Sequence, residues 1–248
     1  MKRLLLLSGA LLVLGASAAA AAPGLNLAWG AGCWADNPVN TKTFACNTNT
    51  GNAQITASYT PTADQTFFVG IEAVLDFQFD GALTVPDWWS FFEAGTCRQT
   101  SLSTSADFTA APGGCTDAWF GLGAGGIAAY QTATSVPHDS SVTTPGRSRL
   151  KVAYALADAS PLTGGTEYYA FRATINYLKT VGVCTGCSTP ATIVLNQIKS
   201  AEGAPANTSE IIINEGINRC ITWGSSTVPC IAVPTRNTSW GQIKSLYR

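Results

Sequence analysis

Cys184 and Cys187 have the C-x-x-C spacing of a redox-active dithiol. Such a site needs a helix after the first cysteine, because the helix N-terminus lowers the pKa of the attacking thiol. A polar turn ending at Pro190 and a strand-like segment follow instead. A zinc site would need a second matched pair, whereas Cys220 and Cys230 lie ten residues apart. The spacing therefore favours structural disulfides over redox chemistry or metal binding.

The eight cysteines are all expected to form disulfides, because an even number in an exported chain is typical of a disulfide framework. Eight cysteines allow on the order of 100 connectivities, so pairing nearest neighbours is one hypothesis among many. That hypothesis predicts the bonds Cys33–Cys46, Cys97–Cys115, Cys184–Cys187 and Cys220–Cys230.

Side chains that could act as acids or bases are few. The single histidine, His138, lies beside Asp139, but no G-x-S-x-G elbow accompanies it. Asp76, Asp80, Asp87 and Glu93 are close in the sequence and could flank a sugar for hydrolysis or ligate Ca²⁺. No complete catalytic motif is present, so no catalytic residue or cofactor is assigned. No metal is assigned either, because the sequence lacks a regular D-x-D-x-D calcium loop. The three aspartates are the candidates for calcium.

Seven tryptophans and seven tyrosines offer flat rings on which sugars could stack. Most of these rings are expected inside, because tryptophan is highly buried on average and anchors sandwich cores. Trp34 and Trp119, in loops beside cysteines, are the leading candidates for ligand binding. Trp88 and Trp89 are adjacent, and in a strand one of the two would face outward. These four tryptophans are the predicted ligand-binding residues.

Residues 1–22 have the organisation of a signal peptide. Lys2 and Arg3 precede an apolar run, and small residues allow cleavage between Ala18 and Ala22. The apolar run of about 11 residues is shorter than the about 20 that a membrane-spanning helix needs. We therefore expect a secreted protein, extracellular, periplasmic or on the cell surface, without a membrane span.

The mature chain carries few charges. Without residues 1–22, 12 basic residues face 15 acidic ones, for a net charge of −3. This composition gives no basic patch that could neutralise phosphates, so nucleic acid is excluded as an expected partner. A glycan or another extracellular protein is the expected partner.

The elements that position these residues are strands. From Phe67 to Phe79 every odd residue is apolar, which predicts a central strand with its odd residues in the core and its other face in water. Asp87 is expected to begin a short helix or loop that closes one end of the molecule. Repeated short alternations with 24 glycines and 12 prolines predict an all-β, antiparallel β-sandwich of jelly-roll or immunoglobulin/cohesin-like type, stapled by disulfides.

One domain is expected over residues 23–236, followed by a short amphipathic tail over residues 237–248. Ser239 and Gln242 have capping-box spacing, and Trp240, Ile243 and Tyr247 fall on one helical face. Two interpretations of the tail stay open: a helix docked on the sandwich, or a sorting signal.

Several motifs together resemble a family of secreted, cysteine-containing bacterial proteins of uncharacterised activity. They are W-G-x-G-C followed by K-T-F-A-C-N-T-N-T-G, V-P-D-W-W-S-F-F-E-A-G-T-C-R, C-T-G-C-S-T-P-A-T-I-V-L-N-Q-I and the ending T-S-W-G-Q-I-K-S-L-Y-R. The resemblance covers most of the mature chain and implies an exported protein. A fainter likeness to cohesin-like and carbohydrate-binding sandwiches concerns architecture only.

The leading hypothesis is a secreted, non-catalytic structural or interaction module of the cell surface or extracellular space. A carbohydrate-binding module that uses exposed aromatic rings is the alternative. A secreted hydrolase ranks third, because no complete catalytic set is present.

Overall fold

The computed structural model describes residues 24–91, 95–132, 146–213 and 217–230, and this part of the chain confirms the predicted all-β class. It contains no α-helix, and short 3-10 turns span Trp34–Asp36, Asp87–Trp89 and Ile217–Arg219. The strands are β1 Gly24–Trp29, β2 Thr41–Lys42, β3 Asn52–Thr60, β4 Gln65–Phe79, β5 Leu102–Ser105, β6 Ala124–Thr132, β7 Arg147–Leu162, β8 Tyr168–Asn176, β9 Ala191–Glu202, β10 Ser209–Ile212 and β11 Cys220–Trp223.

The strands form two sheets that make a β-sandwich. The smaller sheet has the order β1-β3-β8-β5, and the larger has the order β2-β11-β9-β4-β7-β6. Strand β10 pairs with the second half of β9, on the same side as β11. Neighbouring strands are antiparallel except β2 and β11.

The core lies between the two sheets. Alternate residues such as Leu27 and Ile55 of the smaller sheet and Leu75 of the larger are fully buried in one apolar cluster. The indole rings of Trp29 and Trp223, one from each sheet, lie 5.7 Å apart between centroids. Because fully burying one such side chain contributes about 1.5–3 kcal/mol, this cluster is the main stabilising feature of the sandwich.

Strand β4 is central, as predicted, but its phase changes near its start. The odd residues from Ile71 to Phe79 are buried in the core, whereas Phe67 and Val69 are not, and Phe68 is buried in their place. The pairing with both neighbouring strands shifts between Phe68 and Gly70. An inserted residue in a strand reverses the faces on either side of it, so the prediction was wrong for the first two odd residues.

The outer face of β4 is also only partly in water. Asp76 and Gln78 are buried, which corrects the expectation of a solvent-exposed face along the whole strand. The Asp76 carboxylate accepts a bond of 2.7 Å from Nε of Arg149 on β7 and a bond of 2.9 Å from its Nη2. A buried carboxylate is stable when it is paired and hydrogen-bonded in this way.

Two predicted segments, the signal peptide of residues 1–22 and the tail of residues 237–248, lie outside the described residues, so they stay predictions. None of the helices in the described ranges is long and apolar enough to cross a membrane. The short helix expected at Asp87 is a single 3-10 turn, Asp87–Trp89, in which both tryptophans are buried.

Candidate functional site

All eight cysteines form disulfides, but three of the four predicted pairs are wrong. The other three bonds join cysteines 82 to 141 positions apart, because loops that are distant in sequence meet in the fold. The bond Cys220–Cys230 is confirmed, whereas the predictions Cys33–Cys46, Cys97–Cys115 and Cys184–Cys187 are replaced by the bonds Cys33–Cys115, Cys46–Cys187 and Cys97–Cys184.

The C-x-x-C segment is a junction of two crosslinks. Cys184 bonds to Cys97, and Cys187 bonds to Cys46, so neither thiol is available as a nucleophile or a metal ligand. The structural interpretation of this spacing is therefore confirmed, with partners other than those predicted.

The predicted ligand-binding tryptophans are mostly inside the protein. Trp88, Trp89 and Trp119 each have 0% of their surface exposed, and Trp34 in the first 3-10 turn is half-buried. The loop around Trp119 folds inward because its indole N–H donates to the carbonyl of Tyr169 at 3.1 Å. The expectation that Trp119 faces solvent is thus corrected, and three of the four rings offer no stacking surface in this conformation.

Arg98 is a buried cation that the sequence did not reveal as important. Its guanidinium lies 4.2 Å from the ring centre of Trp88. It donates to Oγ1 of Thr180 at 3.0 Å, to the Leu178 carbonyl at 2.6 Å and to the Asn176 carbonyl. Burial lowers the pKa of Arg98 to about 10, so the group stays charged at neutral pH. Arg98 thus links the loop after β8 to the ring of Trp88.

The aspartates proposed for calcium have separate structural partners. Asp76 pairs with Arg149, while Asp80 accepts hydrogen bonds from the hydroxyl of Ser226 and the backbone N–H of Thr227. Asp87 accepts a bond of 3.0 Å from the hydroxyl of Thr185. Within the described residues these three carboxylates do not come together as ligands of one ion. Glu93 and His138 lie outside the described residues.

One buried carboxyl, Glu167, lies against the disulfide Cys33–Cys115. It accepts bonds from Oγ of Ser58 at 2.5 Å and from the amide of Asn26 at 2.9 Å. Burial raises the pKa of Glu167 above its usual range, although the Ser58 and Asn26 bonds oppose that shift. Because both sulfurs are in a disulfide, this group has a structural role and cannot act as a metal site.

A groove crosses the outer face of the larger sheet. One row of paired residues crosses five neighbouring strands, and every member of that row is small. Because strands lie about 4.8 Å apart, the row is about 19 Å long. In order along the row its members are Ala124, Ala155, Gly70, Ala201 and Ser209.

We call the recess formed by Ala124, Gly125, Ala153, Ala155, Gly70 and Ala201 the small-residue groove; its volume is about 290 Å³. Its floor is low because the sheet bears almost no side chains there. Gly70 cannot be replaced without strain, because a Cβ atom at this position would collide with the carbonyl oxygen of Tyr154. The surface is therefore apolar and stays close to the backbone.

Larger side chains form the rims of the small-residue groove. Val69 lies along one side, and Glu72 and Lys199 lie along the other. The Lys199 ammonium is 3.9 Å from Oε2 of Glu72, while Oε1 of Glu72 is buried and has no hydrogen-bond partner among the described residues. An unpaired buried acceptor costs free energy, and a bound N–H or O–H donor would relieve that cost only if the Glu72 side chain turned toward the groove.

The groove carries few ionisable side chains among its described residues. Of its described lining residues, Glu72 and Lys199 are the charged ones. The hydroxyl of Tyr154 turns away and donates to Oγ1 of Thr104 at 2.7 Å, and burial raises the pKa of that phenol. No lining group pairs a nucleophile with a base.

Sequence reasoning missed this groove. A signal was present, because the outward positions of β7 read Ala153 and Ala155, where a solvent-facing strand usually carries polar residues. The other members of the row, however, become neighbours only through the register of the sheet. A comparison with protein-family models found no match, and a search of curated proteins found no similar sequence.

Proposed function

We propose that this protein is a secreted, non-catalytic interaction module, and that the small-residue groove binds an apolar segment of another extracellular polypeptide chain. The observation that carries the proposal is the unbroken row of small residues, from Ala124 to Ser209, on an open face of the larger sheet. A groove whose floor is Gly and Ala admits a chain to within contact of the backbone.

Export is supported by two independent features. Four disulfides are typical of proteins that fold in an oxidising compartment. Residues 1–22 also have the composition of a signal peptide. Three of the bonds join residues more than 80 positions apart, which suits a module that must hold its shape outside the cell.

A polypeptide partner is favoured over a sugar by the lining of the groove. Sugar sites combine aromatic rings with several hydrogen-bonding side chains, whereas seven of the eleven residues that line this groove are Gly, Ala or Val. The rim also offers the partly exposed Glu72 carboxylate as an acceptor for a backbone N–H of the partner. The burial of Trp88, Trp89 and Trp119 also counts against stacking of sugars.

A binding measurement on the mature protein tests the proposal. The protein is applied to an array of overlapping peptides from secreted and cell-surface proteins, and in parallel to a glycan array. We expect binding to apolar peptides that Ala155→Phe, which fills the groove, weakens by at least about ten-fold. Ala159→Phe, an exposed position of the same strand outside the groove, is the matched control and should bind normally.

Two outcomes would overturn this function. Equal peptide binding by the wild type and Ala155→Phe would mean that the groove is not the contact surface. Tight sugar binding that disappears in Trp34→Ala would instead establish the carbohydrate-binding alternative, since Trp34 is the predicted ring that keeps partial exposure.

A further inference from the structure

A rigid loop beside the small-residue groove holds two large apolar side chains in solvent. Phe120 is 66% exposed and Leu122 is 72% exposed. We call these two side chains the hydrophobic tip. One residue, Gly123, separates the tip from Ala124, the first residue of β6 and a member of the groove.

The loop is fixed by close packing at its base. The backbone N–H of the fully buried Trp119 donates to Oδ1 of Asp117 at 2.9 Å, and its carbonyl accepts a bond of 2.8 Å from Leu122 N–H. A Cβ atom at Gly123 would lie 2.9 Å from Ala106 Cβ and from the Trp119 ring, so only glycine fits there. The exposed side chains are therefore presented by a fixed turn and do not fold back onto the protein.

Phe120 also has a strained backbone, with a φ of 52°. A bulky residue in the left-handed region costs on the order of 1–2 kcal/mol relative to ordinary backbone conformations. Strain of this kind, on a residue whose side chain is then left in water, is concentrated at functional sites. Burial of the Phe120 ring by a partner would offset the free-energy cost of this backbone conformation.

We propose that two copies of this chain associate about a two-fold axis, so that the hydrophobic tip of each copy fills the small-residue groove of the other. The proposal rests on the proposed function, because it assigns the groove a particular partner. A two-fold contact requires one surface to carry both halves of the complementary pair, and here the tip and the groove adjoin on β6.

Charged side chains also lie around the two features. Asp107 and Asp117 flank the tip loop, while Lys199 and its ion-pair partner Glu72 are on the rim of the groove. Hydrogen bonds from Thr109 hold the pKa of Asp107 below its usual range, so its carboxylate is ionised at neutral pH. Because the Lys199 ammonium already lies 3.9 Å from Glu72, its attraction to the acids of the other copy's tip loop helps to orient the contact and adds little affinity. The same acids disfavour insertion of the tip into an anionic membrane.

Sedimentation equilibrium of the mature protein over a series of concentrations tests the pairing. We expect a reversible dimer whose dissociation constant rises at least about ten-fold in the double variant Phe120→Ser/Leu122→Ser and in Ala155→Phe. Leu83→Ser, which removes an equally exposed apolar side chain elsewhere, should leave the dimer unchanged. Because all these positions are exposed, far-ultraviolet circular dichroism should show intact folds.

Mixing the two defective variants gives a stricter test. The tip-less double variant keeps its groove, and Ala155→Phe keeps its tip, so a mixed dimer retains one of the two contacts. We expect the mixture to associate more tightly than either variant alone. Equal affinities in the mixture and in the separate variants would overturn the proposal.

Other outcomes also decide against the pairing. A wild type that stays monomeric at all concentrations, or one that assembles beyond a dimer, contradicts a closed two-fold contact. Tip-dependent sedimentation with phosphatidylcholine/phosphatidylglycerol vesicles would identify a membrane as the target of the tip. In either case, loss of peptide binding by Ala155→Phe would still support the proposed function, so the two failures are distinguishable.

Discussion

Two loop regions of this protein contain clustered large apolar side chains, and the two regions differ in how far those side chains are buried. In residues 86–91, the aromatic closure, every described tryptophan and phenylalanine ring is buried. In residues 119–123, Trp119 is buried, but Phe120 is left mostly in solvent. Both segments are short, irregular and rich in aromatic residues in the sequence.

The difference lies in what covers each loop. Arg98 packs on Trp88 and donates to the carbonyls of the loop after β8, and the bond Cys97–Cys184 ties the same two segments together. No disulfide joins residues 119–123 to a neighbour in the described structure. The exposure of an aromatic cluster therefore cannot be predicted from the cluster's own sequence. It depends on whether another segment of the chain packs over the rings.

The largest expected effect comes from removing the crosslink over the aromatic closure. Cys97→Ser/Cys184→Ser opens a loop with a sequence separation of 87. The chain-entropy model predicts a loss of about 4.5 kcal/mol in the free energy of unfolding. Urea denaturation of the oxidised protein measures it. The matched control, Cys220→Ser/Cys230→Ser, removes a bond with a sequence separation of 10. Its free energy of unfolding should fall by only about 2.8 kcal/mol.

The order of these two losses is the informative result. If removing Cys220–Cys230 costs as much as removing Cys97–Cys184, loop closure does not explain how the aromatic closure is held.

Sequence reasoning captured what depends on local periodicity. The alternation from Ile71 to Phe79 in β4 correctly predicted a central strand and its inward face. The same rule failed at Phe67, because a bulge near Gly70 reverses which residues of the strand face the core. The sequence around Gly70 does not show where the extra residue of the bulge is inserted. Periodicity describes one strand at a time.

Features that depend on how distant segments meet could not be predicted. The partner of Cys184 is Cys97, and the spacing to Cys187 gave no information about that bond. Likewise, Ala155 and Ala201 belong to one groove only because β4 lies between their strands in this register. Single small residues in a sequence do not specify a surface, whereas a row of them across several strands does.

A somewhat smaller loss is expected from the closure itself. Trp88→Ala removes a fully buried ring that donates from Nε1 to Oγ1 of Thr180 at 2.9 Å and supports Arg98. Creating this cavity should lower the free energy of unfolding by about 4 kcal/mol, measured by urea denaturation. Trp34→Ala, which alters a half-buried ring, should cost about 1 kcal/mol or less. Similar losses in the two variants would contradict the tight packing of the closure.

The smallest effect has the opposite sign. Phe120→Gly removes an exposed ring and relieves the backbone at a φ of 52°, where glycine is unstrained. The added freedom of glycine in the unfolded chain offsets part of that gain, so we expect the free energy of unfolding to rise by about 0.5 kcal/mol. Lys179→Gly, at a φ of 60°, provides the matched control for the backbone term alone. If both variants gain stability but only Phe120→Gly loses self-association, the strain at Phe120 is maintained for its exposed ring. A loss of stability in Phe120→Gly would show instead that the ring supports its own loop, and the contrast with the aromatic closure would disappear.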